Sequence, residues 1–148
     1  MQPTCRFTPT CTAEVSEAVR LLEKYQCTFA IRGGGHTSWA EAANIGDNGL
    51  TIDLSALNDV LVAEASAVAT SGISNIVSVG GGARWLNVYS VLDSAGLGTA
   101  GGRVADVGVG GLTLGGEHRG RILATRAKLS GVSRRKVILS SSDWFRMR

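Results

Sequence analysis

The sequence is poor in charge and has no long apolar run. Charged residues make up 18% of its 148 residues, against about 25% in an average globular protein. No stretch of about 20 apolar residues occurs, so we expect no membrane-spanning helix and no membrane partner. The start, Met1 to Arg6, lacks the apolar segment of a secretory signal, and the sequence therefore assigns no cellular compartment.

Cysteine and proline are also scarce. The three cysteines, Cys5, Cys11 and Cys27, form no CxxC pair. An odd number without paired spacing predicts neither a disulfide framework nor a zinc site, and we expect no metal. The 20 glycines have no three-residue period, which excludes collagen, and 44% hydrophobic residues argue against disorder. A length of 148 residues favours a single domain.

Charge and glycine divide the chain near residue 117. Through Glu117 there are 6 basic and 11 acidic residues, whereas from His118 onward there are 9 basic and 1 acidic. Of the 20 glycines, 18 lie before this break. We interpret residues 3–116 as one partial domain and residues 117–148 as a basic, divergent tail that is disordered or the product of a wrong gene model. The alternative, a basic arm for an acidic partner such as nucleic acid, lacks an accompanying binding motif.

Hydrophobic periodicity predicts a mixture of helices and strands. Helices are expected over residues 12–25 and 83–94, where apolar residues recur at three- and four-residue intervals. Short strands are expected at residues 6–7, 28–32, 50–54 and 76–79. Residues 60–75 give no clear pattern. The run from Gly101 to Gly116 predicts neither helix nor strand, but extended, partly buried backbone against a partner that leaves no room for side chains.

The sharpest motif is Arg32-Gly-Gly-Gly-His36-Thr37, at the end of a predicted strand. Consecutive glycines allow positive φ angles and let successive N–H groups converge on an anion, which forms a phosphate-binding nest. His36 would then face the group attached to the phosphates, although a lone histidine after glycines is more often a structural hydrogen-bonding residue. A GxGxxG at Gly96–Gly101 lacks the preceding strand and following helix of a dinucleotide fingerprint.

Four blocks follow one another along the chain: RGGGHTSW at 32–39, TIDL at 51–54, VGGGARW at 79–85 and GRVADVGVGGLTLGG at 102–116. In this order they resemble the FAD-binding (PCMH-type) domain of the vanillyl-alcohol oxidase superfamily, and within it the berberine-bridge-enzyme-like oxidases of fungi. The resemblance covers residues 5–116. It implies an α+β fold of which this chain carries the N-terminal part, a small mixed sheet with helices and the start of a second subdomain, with the C-terminal part missing.

The resemblance also implies FAD as cofactor. The loop from Arg32 to Thr37 would hold the pyrophosphate, His36 would carry the flavin covalently through its 8α-methyl group, and the run from Gly101 to Gly116 would wrap the diphosphate and the isoalloxazine edge. Many relatives form a second flavin bond from a cysteine where this chain has Val104, so we expect attachment through His36 alone. The implied cofactor-binding residues are Arg32, Gly33, Gly34, Gly35, His36, Thr37, Gly101, Gly102, Val104, Asp106, Gly108, Gly110, Gly111 and Thr113.

The activity implied by the resemblance is that of an FAD-linked oxidase. Hydride would pass from a small organic substrate to flavin and then to molecular oxygen, giving hydrogen peroxide. The catalytic base and the substrate pocket of such enzymes lie beyond the point where this sequence diverges, so we expect no catalytic residue in this chain and little or no turnover. A non-catalytic flavin or nucleotide binder is the alternative. Such oxidases are often secreted.

Overall fold

A computed structural model describes residues 2–64, 75–115 and 135–140. The helices are α1 (Thr12–Lys24), α2 (Trp85–Ser94) and α3 (Val109–Leu114), with a 3-10 turn at Leu54–Ala56. The strands are β1 (Cys5–Phe7), β2 (Phe29–Arg32), β3 (Leu50–Asp53), β4 (Val60–Glu64), β5 (Asn75–Val79), β6 (Leu97–Gly98) and β7 (Arg135–Ser140). They form two sheets.

The first sheet has three parallel strands in the order β1-β3-β2. Arg32 at the end of β2 is in register with Asp53 at the end of β3, so the carboxyl ends of the strands share one edge. Helix α1 packs its apolar stripe on this sheet, where Val15 and Leu22 form a core cluster with Ile52, which is fully buried. The helix predicted over residues 12–25 is thereby confirmed, since its periodicity matches the buried face.

The second sheet has the order β4-β5-β7-β6, with β4 antiparallel to β5 and the remaining pairs parallel. Its core cluster contains the α2 residues Trp85, Val88 and Leu92 together with Val77 of β5 and Leu97 of β6. The helix predicted over residues 83–94 is confirmed as α2, because the apolar residues that recur along it share one buried face. One parallel sheet and one mixed sheet, together with the helices, confirm the α+β class.

Two parts of the sequence behave differently from expectation. Strand β4 occupies the start of the 60–75 interval, for which no element was predicted. The expectation of extended backbone throughout Gly101–Gly116 is wrong, because residues 109–114 form helix α3. Val109 buries its side chain in the α2 core, and this tertiary contact outweighs the weak helix propensity of a glycine-rich segment.

The basic segment from residue 117 onward is only partly described. Residues 135–140 form β7 between β5 and β6, and the interpretation of the tail as disordered or the product of a wrong gene model stays a prediction. Residues 117–134 and 141–148 lie outside the described part, so the boundary at residue 116 and the basic-arm alternative stay predictions. Within the three described ranges, no helix is long and apolar enough to cross a membrane.

Candidate functional site

Three glycine motifs that are far apart in sequence meet at one place. A Cβ atom built on Gly34 would lie 2.5 Å from Cα of Gly108, and one on Gly108 would lie 2.7 Å from Cα of Gly34. Cβ atoms built on Gly33 and on Gly110 would each lie 3.1 Å from the carbonyl oxygen of Gly81. The backbones can approach this closely only without side chains.

The TIDL block at residues 51–54 and the residues that follow it contact the Gly80–Gly82 run. After β3, the backbone carbonyl of Leu57 accepts a hydrogen bond from the N–H of Gly82 at 2.9 Å, and the backbone carbonyl of Asp59 accepts one from the N–H of Gly80 at 2.8 Å. A Cβ on Gly82 would overlap the carbonyl of Leu54. All four sequence blocks therefore assemble at the carboxyl-terminal edge of the parallel sheet, the edge at which open α/β sheets usually bind ligands.

The loop that carries His36 turns sharply at Gly35. Gly35 has a φ of +68°, a left-handed conformation that favours glycine. The Arg32 side chain packs over it, with Nε 2.9 Å from the place of a Gly35 Cβ, and its Nη1 donates to Oδ1 of Asn44 at 3.0 Å. Arg32 thus packs against the loop, and its predicted contact with pyrophosphate stays a prediction. Asn44 was missed, since nothing in the sequence marks an isolated asparagine as its partner.

His36 and Thr37 are exposed at the end of this loop. The Thr37 hydroxyl accepts a hydrogen bond from the backbone N–H of Trp39 at 3.3 Å, and the Trp39 side chain is 80% exposed. The imidazole is therefore accessible to a ligand that lies against the glycine loop.

Gly101 and Gly102 are buried against aromatic side chains of α2. A Cβ on Gly101 would collide with the Trp85 ring, and one on Gly102 would lie 2.6 Å from Cδ1 of the same ring. Tyr89 stacks near Trp85, with ring centroids 5.6 Å apart, and its hydroxyl donates to the Gly102 carbonyl at 2.7 Å. Trp85 accounts for the small size of these glycines, which we had attributed to a cofactor; their cofactor role stays a prediction.

The remaining predicted residues lie on the surface around the glycine cluster. Val104 is 56% exposed and Asp106 is exposed on the loop before Gly108. Gly111 and Thr113 are exposed on α3, and a Cβ built on Gly111 would lie more than 4 Å from the other residues that the structure describes.

Two contributors were not assigned from the sequence. Gly81 lies between the other glycine motifs, and Arg84 donates from Nη1 to the Asp106 carbonyl at 2.5 Å. Both belong to the VGGGARW block, whose three glycines after a strand were the available signal.

A shallow groove of about 400 Å³ between the start of β4 and α2 includes none of the predicted site residues. It is lined by Asn58, Asp59, Val60, Leu86, Asn87, Ser90 and Val91.

Known proteins share sequence with this chain. Residues 3–135 match the family model described as FAD binding domain. FAD-dependent monooxygenase prx3 from Penicillium roqueforti is 41% identical over 114 residues, which cover 77% of this chain and 21% of that protein. The chain thus spans about a fifth of the length of this relative.

Solved structures show the same fold. Chitooligosaccharide oxidase is 26% identical with a TM-score of 0.59, covering 74% of this chain and 22% of that one. Glucooligosaccharide oxidase from Acremonium strictum, whose FAD is described as 6-S-cysteinyl and 8α-N1-histidyl, is 23% identical with a TM-score of 0.56, covering 74% of this chain and 22% of that one. The chain belongs to the FAD-binding domain family, the PCMH-type domain of vanillyl-alcohol oxidase flavoproteins that its four motifs resemble.

Proposed function

We propose that this chain binds FAD, with the diphosphate lying against the backbone of the Gly33–Gly35 loop and the neighbouring Gly108–Gly111 segment. The observation that carries the proposal is the mutual approach of Gly34 and Gly108, which leaves two stretches of backbone side by side without side chains. Such a surface lets a doubly charged linkage reach main-chain N–H groups directly.

The loop geometry fits an anion. Among the described residues, the backbone N–H groups of Gly34, Gly35 and His36 donate to no other backbone group. The left-handed φ of Gly35 follows two glycines, as in a nest of converging donors. Arg32 adds positive charge behind the loop while its contact with Asn44 fixes its position. These residues would bind and orient the diphosphate.

His36 is proposed as the covalent anchor. Its side chain is exposed at the rim of the loop, where a nitrogen of the neutral imidazole could bond to the flavin 8α carbon. Formation of this C–N bond would replace the imidazole N–H bond and one C–H bond of the 8α-methyl group, and the two protons and two electrons released would reduce molecular oxygen to hydrogen peroxide. The histidyl linkage described for glucooligosaccharide oxidase supports the proposal. Because Val104 has no nucleophile, attachment in this chain would be through His36 alone.

The proposed activity of the complete protein is that of a berberine-bridge-enzyme-like oxidase. The flavin would supply hydride acceptance from a small organic substrate and reoxidation by molecular oxygen to hydrogen peroxide. The name of prx3 favours a monooxygenase instead, and chitooligosaccharide oxidase favours an oxidase. Oxygen-18 labelling separates the two, because a monooxygenase leaves one atom of molecular oxygen in the product. Since no residue of this chain is assigned as catalytic base, we propose that the 148-residue chain binds flavin without turnover.

Acid denaturation of flavin-loaded protein tests the anchor. We expect the yellow colour to precipitate with the wild-type polypeptide and to stay in solution with His36→Ala. A matched control is His118→Ala, which removes the second of the two histidines. Free flavin from the wild-type protein would overturn the covalent proposal, while binding before acidification would still support the FAD site.

A further inference from the structure

The Arg84 side chain links the third glycine motif to the loop before Gly108. Its Nη1 donates to the backbone carbonyl of Asp106 at 2.5 Å, and the same nitrogen is 3.8 Å from Oδ1 of the Asp106 carboxylate. The carboxylate is 82% exposed. The hydrogen bond to the carbonyl is therefore the closer interaction, and the solvent-exposed ion pair is the weaker one.

Three consecutive carbonyls of this loop accept hydrogen bonds from the region of Arg84. Ala105 accepts from the N–H of Leu86 at 3.0 Å, and Val107 accepts from the N–H of Trp85 at 3.1 Å. The carbonyl between them, that of Asp106, is bonded by the Arg84 guanidinium. Backbone donors thus hold the two outer carbonyls, while a single side chain holds the middle one.

The loop ends at the closest contact of the site. Arg84 forms an isolated β-bridge with Gly108, and Val109 donates to the Ala83 carbonyl at 2.9 Å. A Gly108 Cβ would lie 2.7 Å from Cα of Gly34, so the two backbones are in close contact. Movement at Asp106 would change the spacing between the two glycine segments that are proposed to hold the diphosphate.

We propose that Arg84 is a positioning residue for the bound dinucleotide, acting through the Asp106 carbonyl to fix Gly108 against the Gly33–Gly35 loop. This inference rests on the proposed FAD site. The guanidinium acts as a brace for the backbone that meets the cofactor, and it needs no contact with the cofactor itself. The carbonyl bond, and not the charge of Asp106, is the decisive contact.

The test compares variants of the full 148-residue chain by titration with FAD, using the reversible binding phase that precedes any bond to His36, followed by visible absorbance and circular dichroism. Arg84→Gln is expected to raise the Kd for FAD about tenfold, since a charge-assisted hydrogen bond is lost. Asp106→Asn keeps the carbonyl acceptor and should raise it less than about threefold. Arg20→Gln, at an exposed position of α1, makes the same charge change and should leave the Kd unaltered.

Positioning is separated from mere stability by the circular dichroism of the flavin at saturating FAD. We expect a changed visible band in Arg84→Gln and partial recovery of both band and Kd in Arg84→Lys, whose ammonium can still donate to one carbonyl. If Arg84→Gln does not fold, Arg84→Lys still tests the inference, with an expected rise in Kd of about threefold. Wild-type Kd and band shape in the folded Arg84 variants would overturn it. A wild-type chain that binds no FAD would overturn the proposed function first.

Discussion

Gly34 and Gly108 lie back to back, with each backbone occupying the space that a side chain on the other would need. A Cβ on Gly34 would lie 2.5 Å from Cα of Gly108. The contact joins the loop after β2 to the segment that leads into α3, and so joins the first and fourth sequence motifs. Close packing therefore requires glycine at both positions, in addition to their proposed role in binding the diphosphate.

The first prediction concerns this contact. Gly34→Ala or Gly108→Ala should lower the free energy of unfolding by about 1–3 kcal/mol, because a methyl group would push two backbones apart. Urea unfolding followed by far-UV circular dichroism measures the change. Gly46→Ala is the matched control, since its Cβ would have 3.9 Å to the nearest atoms. Equal stabilities for all three variants would contradict the packing described here.

Gly111 offers a different outcome, because no atom in the described part of the chain occupies the space of a side chain at this position. Within α3, Gly111→Ala should raise the free energy of unfolding of the FAD-free protein by about 0.5–1 kcal/mol. If the cofactor lies against this position, the same variant should bind FAD about tenfold more weakly. Thermal melts and FAD titration are the measurements. Higher stability with unchanged affinity would place the cofactor away from Gly111.

Tyr89 is predicted to stabilise the glycine backbone through one hydrogen bond. Its hydroxyl donates to the Gly102 carbonyl at 2.7 Å, so Tyr89→Phe should cost about 0.5–1.5 kcal/mol in urea unfolding. Tyr25→Phe serves as the control, because the Tyr25 side chain is 66% exposed. A loss of the same size in both variants would argue against a specific role of the Tyr89 hydroxyl.

Glu14 is predicted to make stability depend on pH at the start of α1. The backbone N–H of Thr10, at 2.6 Å, and then its hydroxyl, at 3.1 Å, lower the pKa of the Glu14 carboxyl from its ordinary value. A carboxyl with a lowered folded-state pKa stabilises the fold above its unfolded pKa, and this contribution is lost as the pH falls through the folded value.

Glu14→Gln should therefore be less stable than wild type near pH 6, with a difference that shrinks toward about pH 3. Thermal melts across this range test the sign. Glu17→Gln, a change at an exposed position of the same helix, is the control. A stability difference between Glu14→Gln and wild type that grows as the pH falls would show that the direction of the Glu14 pKa shift is wrong.

The elements with a buried stripe were predictable from the sequence. Helix α1 was expected over residues 12–25 and ends at Lys24. It was predictable because one of its faces carries the apolar residues that pack on Ile52. Helix α3 was not predictable, since its glycines disfavour a helix and its stability comes from the burial of Val109 beside α2.

The site was predictable at the level of motifs but not of contacts. The Gly33–Gly35 run marked a loop with unusual backbone angles, and Gly35 has one. The bracing of Arg32 by Asn44 and of the Asp106 carbonyl by Arg84 depends on long-range folding, which spacing along a chain does not encode. The packing of Gly101 against the Trp85 ring, which leaves no room for a side chain, also depends on long-range folding.

The measurement that tests the account most directly is titration of the folded 148-residue chain with FAD in a calorimeter, with Gly108→Ala and Gly46→Ala alongside. We predict saturable single-site binding to the wild type and to Gly46→Ala, and strongly weakened binding to Gly108→Ala. A wild-type chain that is folded by circular dichroism and yet releases no heat and gains no flavin colour would contradict the central claim.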